Sequence, residues 1–156
     1  MKLVGLVNVK HVRKGKVIRE FTEKNLLTKF GALQFIYGAI GVTVGGVGWN
    51  VGLIDGAFPI ALSIDDTLAS HPGWTQQQGL KAPGLFSAGA IQPSRKTGVI
   101  IFTFSGDEII GGAFMVSIST SVGVVPGRII SELEFAAPVE VDANDQLHIQ
   151  ITITLV

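Results

Sequence analysis

The chain has 156 residues, 47% of them hydrophobic and only 15% charged, which excludes a disordered segment and suits one domain that buries roughly 68–70% of its unfolded surface. The formal net charge is zero, but residues 1–29 carry eight Lys/Arg against Glu20 and Glu23 while the remainder carries four against ten acids, so the two parts hold +6 and −6 and favour head-to-tail contact or docking on an acidic surface. The absence of cysteine excludes a disulfide framework, a thiolate nucleophile and a cysteine zinc site; no apolar run reaches the roughly 20 residues of a membrane span, and Asn8 and Lys10 break the first one too early for a signal peptide.

In chain order, "KLVGLVNVK" and "KVIREFT" flank "HVRKG", which predicts a basic β-hairpin over 1–24 whose Lys14-Gly15 supplies the positive φ of a tight turn. Lys10, Arg13, Lys14, Lys16 and Arg19 on this hairpin are candidate contacts to an acidic partner surface or to a second subunit. They could also meet phosphates, but no aromatic residues interleave them and the rest of the chain is acidic, which argues against nucleic acid. The 4-3-4-3 spacing of Leu26, Phe30, Leu33, Tyr37 and Ile40 predicts one short helix over 25–41, capped by Asn25 or Thr28.

From 51 to 156 the pattern is of strands around a long irregular loop, 55–97, that holds Pro59, Pro72, Pro83 and Pro93. "GVIIFTF", "GGAFMVSIST" and "IISELEF" read as strands, the last with Ile129, Leu133 and Phe135 inward and Glu132 and Glu134 outward. "QLHIQITITLV" alternates over nine residues, Leu147 to Leu155. Turn residues sit between the strands in "SGDE", "VVPGR" and "DAND". The expectation is an all-β fold: a single-domain antiparallel β-sandwich of the jelly-roll kind, with the one helix after the hairpin.

The three histidines, His11, His71 and His148, have no metal-ligand spacing, so neither a metal nor a cofactor is expected. Asp65 and Asp66 in "SIDDTLAS" read as acids at a helix start rather than as an acid/base pair. "GAIGVTVGGVGWN" lacks the lysine of a phosphate loop and reads as an apolar connection or contact surface. No catalytic residue is assigned. In "LASHPGWTQQQG" the turn His71-Pro72-Gly73-Trp74 is read as the anchor of the long loop, with contact to a partner as the competing role; Trp49 is grouped with it.

That stretch also carries a resemblance. "GLIDGAFPIALSIDDTLASHPGWT", with "EKNLLTKFGALQFIYGAI" before it and "GRIISELEFAAPVEVDANDQLHIQITITL" after it, resembles segments of small tailed-bacteriophage virion proteins, over most of the chain. The block after Trp74-Thr75 departs from theirs, running into "QQQGLKAPGL". The resemblance implies a non-enzymatic virion protein of the cement or decoration type. It implies the major capsid protein as partner, a homo-oligomer, and a place on the capsid surface after synthesis in the host cytoplasm. The alternative in another class is a receptor- or glycan-binding head-fibre or tail module, with exposed Trp49 and Trp74 as sugar platforms.

Overall fold

The computed structural model describes residues 3–33, 49–56, 61–71, 74, 79–82, 87–88, 94–117 and 127–155. Among these the protein is all-β and antiparallel, with nine strands: β1 (Leu3–Arg13), β2 (Lys16–Leu27), β3 (Trp49–Asp55), β4 (Ser87–Ala88), β5 (Ser94–Lys96), β6 (Ile100–Thr103), β7 (Glu108–Ser117), β8 (Ile129–Val141) and β9 (Gln146–Leu155). They follow one path, β3-β7-β8-β2-β1-β9-β5-β4, with β6 also paired to β9.

The strands form where alternation and β-branched residues demand it. Val7 and Val9 on β1 and Leu147, Ile149, Ile151 and Ile153 on β9 all turn to one side, where Ile100 and Phe102 of β6 join them. Val51 and Leu53 of β3, Ala113 and Met115 of β7, and Leu133 and Phe135 of β8 complete the same core from the opposite side. Lys14 and Gly15 have φ of 50° and 74°, the left-handed pair a two-residue hairpin turn requires. The hairpin is no appendage, because β1 lies between β2 and β9 in the sheet.

β2 joins the two halves of the path, pairing with β1 over most of its length and with β8 only at Leu26 and Leu27. Between its start and that point side chains bridge the seam to β8. Arg19 donates to the carbonyls of Ala137 and Pro138, and the Ala136 N–H donates to Glu23.

The helix predicted over 25–41 is shorter at its start than the spacing suggested. Asn25, Leu26 and Leu27 continue β2, and helical backbone covers 29–33, with 34–41 outside the described residues. Thr28 is the cap: its hydroxyl accepts from the Gly31 N–H at 3.0 Å and donates to the Ile129 carbonyl. Leu33, assigned to the apolar face, is 40% exposed.

The described residues of the 55–97 loop include regular structure that its composition does not suggest. It contains β4, β5 and a 3-10 turn at Leu68–Ser70, and single bridges tie Lys81 to Val51 and Thr67 to Arg128. Asp65 and Asp66 do not open a helix, because the 3-10 turn begins after them and Thr67, with Ser70, caps it.

This loop covers the outer face of β3, β7 and β8. Ile54, Phe114, Val116 and Ile129 point away from the main core and pack with Trp74 into a second cluster, joined by Leu62, Leu68 and Leu80. A bulge in β8 opposite Met115 and Val116 lets Ile129 serve this outer cluster while Ile130 serves the main core. Gly52 lies under the Phe114 ring and Leu80, where a Cβ would collide with both.

Candidate functional site

Two groups of side chains carry charge into unusual settings. The first is the tip of the β1–β2 hairpin. Of the five basic residues singled out from the sequence, three are engaged internally. Lys10 pairs with Glu20 at 3.2 Å across the hairpin, and Arg19 holds the seam carbonyls while lying 4.7 Å above the Phe21 ring.

Arg13 grips the Asp145 carboxylate through Nε and a terminal nitrogen, at 3.0 and 2.7 Å, and reaches Asp142 at 2.7 Å. His11 Nε2 lies 2.7 Å from the same Asp145 carboxylate, which also accepts the Asp142 N–H. These contacts, the Arg13 bonds first and against the opposing effect of burial, hold the Asp145 carboxyl well below the usual carboxylate range. The group clamps the end of β1 to the β8–β9 turn, where Asn144 adopts φ 71°.

Lys14 and Lys16 remain exposed and make no ion pair among the described residues. Beside them Val17 and Ile18 are each 52% exposed. Consecutive strand residues point to opposite faces, so both faces of the hairpin tip are open to solvent. β9 pairs with β1 only as far as Val12, which leaves the tip projecting past its neighbour.

The second group lies under the covering loop. Glu132, expected on a solvated face, is buried at 1% exposure. It does face away from the main core, beside Phe114 on β7; the loop covers that face. Asp66 and His71 come down from the loop to meet it, and the ligand atoms of the three residues lie within 4.8 Å of one another.

His71 Nε2 sits 2.9 Å from Asp66 Oδ2 without the alignment of a hydrogen bond. The Ser63 N–H donates to both carboxylates, at 2.8 Å to Asp66 and 3.0 Å to Glu132. Burial, then the neighbouring Asp66 charge, pushes Glu132 up to about 8 against the pull of the Ser63 N–H. For Asp66 burial acts in the same direction, but His71 and Ser63 outweigh it and the group is lowered.

Trp74 is 1% exposed. Its ring stacks on the His71 imidazole, with centroids 3.9 Å apart and planes at 12°, and tilts against Phe114 at 5.2 Å. The Trp74 N–H reaches back to the His71 carbonyl at 3.3 Å, closing the turn. So enclosed, the ring faces neighbouring side chains rather than solvent, as the anchor of the loop would. Trp49, half-buried, packs against the main core, separate from the Trp74 cluster. The glycine-rich stretch before it lies outside the described residues.

The reading that no histidine joins a ligand-like group followed from spacing along the chain and does not hold in space. Asp66 and His71 are five residues apart, but Glu132 arrives from β8, and only the loop's return to β8 brings it to them. His11 and His148 stay apart from this group, His148 lying 2.9 Å from Gln146.

Comparison with models of known protein families, with curated proteins and with solved structures finds no match. Among the described residues no helix is long and apolar enough to cross a membrane.

Proposed function

We propose that this protein is a non-enzymatic structural component of a tailed-bacteriophage virion, made in the host cytoplasm, which binds the capsid surface as a homo-oligomer and reinforces the shell. The hairpin tip carries this reading. Lys14 and Lys16 stand exposed at the hairpin turn, beside Val17 and Ile18, a combination of charge for steering and apolar area for burial that suits docking on an acidic protein surface. The all-β fold and the resemblance of "GLIDGAFPIALSIDDTLASHPGWT" and its flanking segments to virion proteins support the same reading.

A cement protein binds the assembled shell in preference to free subunits and thereby raises the particle's resistance to heat and low salt. The test adds purified protein to shells lacking it and follows their melting, with mass spectrometry of intact virions for copy number. Raised melting and hundreds of copies per particle are expected; equal melting with and without the protein would end this reading. A dozen copies or fewer would instead put the protein at a vertex or tail. The glycan-binding alternative loses one of its two platforms, since Trp74 is buried, while Trp49 is half-buried.

A further inference from the structure

We infer that Asp66, His71 and Glu132 form a binding site for one divalent transition cation of the zinc class, which fastens the covering loop to β8. The inference stands apart from the shell-binding reading, which the hairpin tip carries.

The ligand types fit. One imidazole with two carboxylates is a nitrogen-and-oxygen set of the kind zinc accepts, whereas calcium takes six to eight oxygens. The spacing fits as well. Ligand atoms at about 2.0–2.2 Å from a metal and 90–109° apart are separated by about 3.0–3.5 Å; His71 Nε2 and Asp66 Oδ2 already stand 2.9 Å apart, and all three ligand atoms lie within 4.8 Å.

An independent observation comes from the buried member. Glu132 is 1% exposed, and among the described residues neither its Oε2 nor His71 Nε2 has an aligned hydrogen-bond partner. Buried polar atoms are ordinarily satisfied, and two carboxylates sharing a buried site hold either a proton or a cation between them. A divalent cation would meet all of these requirements together.

The supporting contacts have the form found around bound metals. The Ser63 N–H orients both carboxylates, and the Trp74 ring fixes the plane of the imidazole. The side chains of His71 and Asp66 are each 11% exposed, which leaves a path for an ion and none for a substrate. Three protein ligands leave the fourth position of a tetrahedral zinc to water, and in this enclosed place such an ion would tie the loop to β8.

The test is calorimetric titration of the untagged chain with Zn²⁺, after chelator treatment, alongside thermal melting. One equivalent per chain is expected, with a raised melting temperature, and with Ca²⁺ and Mg²⁺ failing to compete. Glu132→Gln and Asp66→Asn should each weaken binding by more than about 100-fold, beyond the 10–100-fold typical of losing an outer partner. Glu134→Gln, on the same strand but exposed, should leave it unchanged. Should Glu132→Gln fail to fold, Asp66→Asn, whose side chain reaches the surface, carries the test. No saturable Zn²⁺ uptake, or uptake that both variants retain, would overturn the inference. Zinc binding without shell binding, or the reverse, separates this site from the function proposed above.

Discussion

Glu132 and Glu134 stand two residues apart on β8 and face the same side of the sheet, yet the first is buried and the second exposed. The difference is what lies above them: Phe114 and the loop cover Glu132, while Glu134 is paired across the strands with Gly112, which has no side chain. Trp74 holds that cover in place, and Trp74→Ala should cost the isolated protein roughly 3–5 kcal/mol, the range for emptying a large buried aromatic site. Chemical denaturation of the purified variant measures it; near-normal stability would mean the loop is anchored elsewhere. Asp145 makes a second prediction at this scale. The folded protein holds a proton on this carboxyl less tightly than the unfolded chain does, so its stabilisation is complete above the ordinary aspartate pKa of about 4 and is lost as pH falls below it. Asp145→Asn should therefore lower stability by about 2 kcal/mol at pH 7, from weakened charge-assisted hydrogen bonds, with the gap to the parent closing in acid. A gap that stays constant down to pH 2 would contradict this account.

At the scale of the element, the β1–β2 hairpin behaves as two different objects along its length. Its base is built into the sheet between β9 and the β8 seam, and its tip projects with Lys14, Lys16, Val17 and Ile18 exposed. Lys14→Glu with Lys16→Glu should leave the fold within about 0.5 kcal/mol of the parent, as surface changes do, while weakening shell association; wild-type association should itself weaken as salt rises. Binding that ignores both salt and the double variant would leave the tip as solvated surface. The hairpin was legible in the sequence because Lys14-Gly15 and the flanking alternation are local signals. The extent of its second strand was not. Leu26 opens the 4-3-4-3 spacing of a helix and Asn25 is one of its candidate caps, but pairing of Leu26 and Leu27 with β8 keeps them extended until Thr28 caps the helical turn.

Considered as a whole, the molecule has two apolar clusters on opposite sides of the same strands. β3, β7 and β8 contribute Val51, Leu53, Ala113, Met115 and Leu133 to the main core and Ile54, Phe114, Val116 and Ile129 to the cluster under the loop. Clusters that share strands should unfold together. In a Trp49→Phe variant, whose remaining indole is Trp74, fluorescence and far-ultraviolet circular dichroism should give coincident denaturation midpoints. An earlier fluorescence transition would show the loop opening by itself ahead of the core.

Local chemistry by itself determined the all-β class, the hairpin turn, the alternation of β9 and the His71–Trp74 turn, because each depends on neighbours within a few residues: pleat period, positive φ, turn-forming side chains. It could not tell which basic residues of the hairpin are spent on internal partners, since Asp142, Asp145, Ala137 and Pro138 lie more than 100 positions away. Nor could it tell that the outer face of β8 is dry. Alternation sorts side chains into two faces but does not say what covers either one; here the placement of Leu62, Leu68, Trp74 and Leu80 over β3, β7 and β8 decided it. That single tertiary event buried Trp74, turned Glu132 from a surface acid into a buried one, and brought it to Asp66 and His71.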